Sequence, residues 1–276
     1  MALPRSPDPL SSLDDLYPLG DDAVASYRRD GHVLLRGVAS PEEVACYRPA
    51  IVKAVEAVAR SHDPQGRLDD YGSLFTQVTN LWRLSEEARA LVFAPRFAGI
   101  AAGLLGVPAV RLYHDQALFK EPGGRRTPWH QDHYYWPLET DAALTMWLAL
   151  VDVPLEMGPM TFASGSHRAG DLGPLPISEE TDARLARVIE ERGFSLASKG
   201  LRAGDATFHS SRTLHSALPN LTASRREVMT VIYFADGTRV GEPDNPHRKV
   251  DLEVFLPGVG PAEPAASPLN PVLFSP

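Results

Sequence analysis

The sequence has a single cysteine, Cys46. That excludes an internal disulfide and any zinc site built on several thiolates. Clustered positive charge is missing too. Lys and Arg number 27 against 35 Asp and Glu, a formal net charge of −8. Such a balance argues against nonspecific nucleic-acid binding, which needs many cations to neutralise phosphates. No stretch approaches the roughly 18 apolar residues that crossing a bilayer takes. The first residues, Met1-Ala-Leu-Pro-Arg-Ser-Pro-Asp8, are polar and proline-punctuated and not an apolar leader. These absences make a cytoplasmic protein the expectation, with neither nucleic acid nor a membrane as its partner.

What is present is globular in character: 43% hydrophobic and 22% charged over 276 residues. That is enough for a substantial core in one domain spanning residues 1–276. Residues 1–20, with prolines at 4, 7, 9 and 18, read as an irregular arm. Helices are predicted over Asp21–Arg29, near Glu86–Phe93, over Pro95–Leu105 and over Ser178–Arg192. Another runs to Arg60 from the capping box Ser40-Pro-Glu-Glu43, with Ser at N-cap, Pro at N1 and Glu at N3. Strands are predicted over residues 31–36, 110–120, 144–153, 157–162, 204–209 and 226–234. On the second of these, His114 and Gln116 share one face and Tyr113 and Asp115 the other. Residues 61–80 and the tail 237–276 read as loops. Helices first, then short strands with turns between them, point to an α+β, mainly β fold. Its core would be an antiparallel double-stranded β-helix, a cupin-like jelly roll, with flanking helices.

The chemistry concentrates in Thr127-Pro-Trp-His-Gln-Asp-His-Tyr-Tyr-Trp136. In a strand, His130 and Asp132 point the same way, and Gln131 and His133 the other. An imidazole and a carboxylate on one face are two thirds of the 2-His-1-carboxylate set of non-heme Fe(II) oxygenases. Seven further histidines, at 32, 62, 114, 167, 209, 215 and 247, could each in principle complete it. His215 stands out because Arg226 follows eleven residues later at the start of a β-rich run. A dicarboxylate cosubstrate needs a cation at its far end, and arginine grips a carboxylate bidentately while staying charged when desolvated. His209, which also follows Gly204-Asp205, competes with His215.

These residues, in this order, resemble the phytanoyl-CoA dioxygenase family of Fe(II)- and 2-oxoglutarate-dependent oxygenases. The likeness covers Trp129–Trp136, Trp147–Asp152, Gly158-Pro-Met160, Gly165-Ser-His167, Gly204-Asp205, His215 through Arg226, and the tail from Leu256-Pro-Gly258 to Ser267-Pro-Leu-Asn-Pro271. The resemblance implies His130, Asp132 and His215 as iron ligands and Arg226 as the holder of the distal carboxylate of 2-oxoglutarate. It implies Gln116 and Trp147 as further neighbours of the cosubstrate. The sequence departs from the family pattern at Met157, where Asn usually precedes the Gly, and at Ala163-Ser164, where Pro commonly precedes Gly-Ser-His. Neither departure removes a ligand.

With Asp132 present, the resemblance implies oxidation of an unactivated C–H of a small organic substrate: hydroxylation, or a related radical outcome such as epimerisation or cyclisation. Tyr134 and Trp136, further along the same face, are expected on the substrate side. Residues 61–80, 169–180 and 237–250 are expected to cover the site. An acyl-CoA substrate would need a basic patch, and only Arg125 and Arg126 could begin one. The arginine-, alanine- and proline-rich composition hints at a GC-rich genome and so at a tailoring step on a bacterial natural product. Two other readings remain open: a cupin-like metal enzyme that does not use 2-oxoglutarate, and a catalytically dead binding module.

Overall fold

The structure is a computed structural model that describes residues 12–62, 74–170 and 172–275. Two antiparallel sheets carry it. Strand β1 (His32–Leu35) begins the larger sheet, which also contains β2 (Phe75–Thr79), β3 (Val110–Lys120), β5 (Ala143–Ala149), β8 (Ala206–Ser210), β10 (Arg226–Ala235) and β11 (Val272–Phe274). Its order is β1-β8-β5-β10-β3-β11, with β2 also paired to β3. The smaller sheet, in the order β4-β9-β6-β7, contains β4 (Thr127–His130), β6 (Met160–Ala163), β7 (Leu196–Ser198) and β9 (His215–Ala217). The sheets face each other as a jelly roll, with helices packed on the outside of the larger one.

Strand alternation divides the larger sheet by chemistry. On β5, Leu144, Met146 and Leu148 point to the outer core, while Thr145, Trp147 and Ala149 point inward. On β8, Ala206 and Phe208 face outward, and His209 faces in. The outer face packs on the helices α1 (Asp21–Asp30), α2 (Pro41–His62), α3 (Glu86–Val92) and α4 (Pro95–Leu105) through Tyr27, Ile51, Leu91, Phe97 and Ile100. Both faces of β5 are therefore covered, which explains its unbroken apolar run. Helix α5 (Glu179–Glu191) lies over the smaller sheet, where Leu185 and Ile189 pack on Trp129 and Leu214.

Several expectations are corrected. Within residues 61–80, the portion 63–73 lies outside the described residues, but Phe75–Thr79 is a strand paired with β3 and not a loop. The tail contains helix α6 (Pro246–Phe255) and strand β11. Asn245 caps α6 by accepting from the Arg248 amide at 2.9 Å, and Pro246 sits at its first position. Tyr113 and His114 both turn inward: β3 carries one extra residue where Leu112 and Asp115 pair with Tyr233 and Val231. This bulge resets the alternation. One stretch, Glu86–Leu105, does reach membrane-spanning length and apolarity. It is two helices broken before Pro95, and its Leu91, Val92, Phe97 and Ile100 are buried in the core. Residues 1–11 of the predicted arm also lie outside the described residues.

The capping box forms as predicted. Glu43 N donates to Ser40 Oγ at 3.2 Å, and Ser40 N donates to Glu43 Oε2 at 2.7 Å. Glu43 also takes Arg96 Nη1 at 2.8 Å, tying α2 to α4. Ser40→Ala is expected to cost about 1 kcal/mol. Urea unfolding should show this as a lower midpoint at unchanged slope.

Candidate metal and cosubstrate site

Register brings the first two site residues together. His130 at the end of β4 lies directly opposite His215 on β9, so both imidazoles project from one face, with ring centroids 4.1 Å apart. Each ring is locked by its own chain. His130 Nδ1 donates to the Pro128 carbonyl and His215 Nδ1 to the Thr213 carbonyl, both at 2.9 Å. A carbonyl can only accept, so Nδ1 carries the proton and Nε2 keeps its lone pair toward the cavity.

Asp132 reaches the same point by a different route from the one the sequence implied. Strand β4 ends at His130, and Asp132–Tyr134 forms a 3-10 turn. The turn sets the Asp132 carboxylate with Oδ1 3.7 Å from His130 Nε2 and 3.6 Å from His215 Nε2. Thr145 Oγ1 on β5 donates to Oδ2 at 2.9 Å, orienting the group from the opposite sheet. One ligand atom from each of His130, Asp132 and His215 lies within 4.8 Å of the others, a set that could hold a metal ion.

Burial keeps both histidines neutral, with pKa values pushed down to about 4. Burial alone would raise the Asp132 carboxyl, but the surrounding His215, His209 and His130 outweigh it and hold it below the ordinary carboxylate range. The set is therefore two neutral imidazoles and a carboxylate at neutral pH, the protonation state that metal binding requires. His209 stands beside it on β8, its Nε2 3.3 Å from Asp132 Oδ2. That approach is not aligned for a hydrogen bond, and neither nitrogen of the His209 ring has a hydrogen-bond partner.

The three residues open onto a cavity of about 340 Å³ between the sheets. A row across the larger sheet lines its floor: Gln116, Thr230 and Trp147 lie opposite one another on β3, β10 and β5. Arg226 enters from the far end of β10 and is 2% exposed. Its Nη1 donates to the Gly158 carbonyl at 2.6 Å, and its guanidinium lies 5.3 Å from the Trp147 ring centroid. Its Nε has no partner, and it has no carboxylate partner among the described residues. Burial lowers its pKa to about 10, so it stays charged. The turn needs a glycine at 158: its φ is +73°, and a Cβ there would clash with the Leu218 carbonyl of the neighbouring loop.

Of the residues expected at the substrate end, Trp136 lines the cavity and Tyr134 does not. The 3-10 turn ends the strand period, so Tyr134 packs with Trp129 and Leu175, and Tyr135 takes the cavity position. Gln116 lines the cavity, with its amide oxygen accepting from Gln77. Thr145, Phe75, Ile177, Asp251 and Phe255 also line it. Sequence reasoning did not single these out. The Asn245-Pro246 helix start was the available signal for α6, and hence for Asp251 and Phe255. Ile177 belongs to the expected cover over 169–180, and its amide donates to Tyr135 Oη at 2.9 Å.

Residues 27–228 match the phytanoyl-CoA dioxygenase (PhyH) family. The chain belongs to this family. It is 28% identical to the ectoine dioxygenase of Bordetella parapertussis over 78% of this chain and 75% of that one. Among solved structures, the non-heme α-ketoglutarate-dependent carbocyclase SnoK from nogalamycin biosynthesis superposes with a TM-score of 0.76. It is 29% identical, covering 95% of this chain and 98% of its own. The epimerase SnoN, solved in complex with Fe3+, α-ketoglutarate and nogalamycin RO, gives a TM-score of 0.72 at 31% identity over 92% and 98%. The family member is an enzyme of the iron- and 2-oxoglutarate-dependent oxygenase class.

The buried histidines generate a prediction about pH. His32, His114, His130, His133 and His215 all have pKa values lowered to about 4, chiefly by burial. Between their unfolded value of 6.5 and about 4, the unfolded chain binds protons that the folded one does not. Stability is therefore lost as pH falls through that window. Asp115 and Asp251, raised to about 7 by burial, act in the opposite sense, but they are fewer. The melting temperature of the metal-free protein should fall as pH is lowered from 7 to 5, by about 2–4 °C for each kcal/mol lost. Thermal melts across that range check it.

Proposed function

We propose that His130, Asp132 and His215 hold the iron, that Arg226 binds the distal carboxylate of 2-oxoglutarate, and that the enzyme oxidises a C–H of a small natural-product-type molecule. The observation that carries this reading is the pairing of the His–Asp–His set with a buried, charged arginine that has no carboxylate partner among the described residues, in one cavity. The donor set suits Fe(II): two imidazole nitrogens and one carboxylate oxygen on one side leave the other side open. The guanidinium suits a carboxylate, because a buried cation without a partner is unfavourable until an anion reaches it. The free Nε of Arg226 fits the same conclusion.

Iron would be held by His130, Asp132 and His215, and with 2-oxoglutarate and O2 it would supply the oxidant for a substrate C–H while 2-oxoglutarate becomes succinate and CO2. The chain's own residues position and protect. The carbonyls of Pro128 and Thr213 fix both imidazoles, and Thr145 fixes the carboxylate. Trp147 lies against Arg226, keeping water from the guanidinium. Gln116 and Thr230 offer polar contacts along the floor. The aromatic end around Tyr135, Trp136 and Phe255 faces the remaining space, where the substrate binds.

Similarity to SnoK and SnoN over more than nine tenths of the chain favours a tailoring step of hydroxylation, epimerisation or cyclisation type. An acyl-CoA substrate fits less well, since Arg226 is the one Lys or Arg lining the cavity among the described residues. A cytoplasmic setting belongs to the same reading, because Cys46 is a free thiol and the cosubstrate is an intracellular metabolite.

Conversion of 2-oxoglutarate to succinate with added Fe(II) tests the reading. Asp132→Ala should reduce succinate formation to background while the circular dichroism spectrum stays native, and full activity in that variant would sink the assignment. Arg226→Ala should raise the 2-oxoglutarate requirement roughly 10–100-fold, as expected for losing charged hydrogen bonds. An unchanged requirement would remove Arg226 from the cosubstrate site.

A further inference from the structure

Asp251 has no part in holding iron or cosubstrate, yet its side chain lines the same cavity. It sits on α6, where Tyr113 Oη donates to its Oδ2 at 3.0 Å. No Lys or Arg among the described residues forms an ion pair with it. Arg248, nearly one turn back, is bonded instead to Asp244 Oδ1 at 3.2 Å and to the His133 carbonyl at 3.3 Å. His114 lies close by, but burial keeps it neutral, and its ring stacks on Phe255 with centroids 4.0 Å apart.

Charge bookkeeping isolates this carboxylate. Among the described residues lining the cavity, the acids and bases other than histidine are Asp132, Arg226 and Asp251. A doubly charged metal offsets a dianionic cosubstrate, and Arg226 offsets Asp132. Asp251 is left over. Burial, assisted by the Asp132 charge, raises its pKa to about 7. Ionised there without a cation, it is unfavourable. A bound anion would make it worse, and an uncharged apolar ligand would leave it unrelieved.

Its surroundings complete the chemistry. Tyr135, Trp136 and Phe255 line the cavity with it, and the Tyr113 ring packs 5.4 Å from Trp136 and 5.6 Å from Phe255. A carboxylate among aromatic side chains attracts a protonated or alkylated amine twice over, by charge and by the ring faces. We propose that Asp251, with the aromatic side chains of Tyr135, Trp136 and Phe255, forms a subsite for a protonated amino group, so that the substrate class is an amine-bearing small molecule. This rests on the oxygenase reading of the cavity, with the amine anchored at one end and the oxidised carbon turned toward His130, Asp132 and His215.

The probes are choline and its uncharged isostere 3,3-dimethylbutan-1-ol, titrated calorimetrically without oxygen into protein carrying Fe(II) and 2-oxoglutarate, and into metal-free protein. About 0.5 M NaCl screens the general attraction of an acidic surface for cations. Choline should bind about tenfold or more tightly than the alcohol in that salt, and Asp251→Asn should bring the two affinities together. Equal affinities in the unmodified protein, or a preference that survives Asp251→Asn, would overturn the proposal. The comparison in the unmodified protein needs no variant, so it decides the matter even where Asp251→Asn fails to fold. Succinate formation by the unmodified protein, measured in parallel, separates the two readings. Succinate with no choline preference removes the amine subsite alone, and absence of succinate counts against the oxygenase reading whatever the probes show.

Discussion

The hydrogen bond from Thr145 to Asp132 joins the two sheets at the point where the chemistry is placed. His130 and His215 are both on the smaller sheet, fixed opposite each other by the pairing of β4 with β9. A third member of the set on that sheet would have to come from the strand's own period. The chain leaves the strand instead and turns at Asp132, and a hydroxyl from the larger sheet fixes where the carboxylate stops. The separation of the sheets is thereby coupled to the geometry of the set. The outer core formed by the helices and the larger sheet in turn holds β5, and hence Thr145, in place.

The cavity is polarised along its length. At one end the buried Arg226 guanidinium lies against the Gly158 carbonyl and the Trp147 ring, and at the other the Asp251 carboxylate accepts from the Tyr113 hydroxyl, with no ion-pair partner for either among the described residues. Both arrangements sacrifice stability, because desolvated charges without counter-charges are disfavoured. A protein selected for stability alone would pair such groups internally. Leaving them open toward one space fits a site that receives its counter-charges from ligands, and their opposite signs give a bound pair of ligands a direction.

Much of this was legible in the sequence where local rules act alone. The capping box at Ser40, the helix over 95–105 and the apolar run of β5 follow from spacing and side-chain type, and the structure contains all three. His130, Asp132 and His215 do come together. The strand argument for Asp132 was wrong in its details, since the chain turns after His130, and the same error placed Tyr134 in the cavity instead of Tyr135. A period of two cannot foresee a 3-10 turn or the extra residue in β3 that brings Tyr113 inward beside His114. The prolines and glycines of the tail suggest loop, and the local signal against that is the Asn245-Pro246 helix start. Non-local pairing decided each of these cases, and a single sequence does not display it.

Placement of the corrected elements follows a physical division. The end that holds His130 and His215 is built from paired strands and carbonyl-locked rings, which tolerate little change because each position is set by a ladder of backbone bonds. The opposite end is built from α6, the turn after β4 and the segment bearing Ile177. These contribute single side chains through caps and tethers, such as Ile177 to Tyr135 and Asn245 to the Tyr134 carbonyl. Substituting a side chain on α6 changes the cavity wall without breaking any strand pairing. The outer elements can therefore vary while the strand-built frame stays the same, and in this chain α6 carries Asp251, which has no ion-pair partner among the described residues.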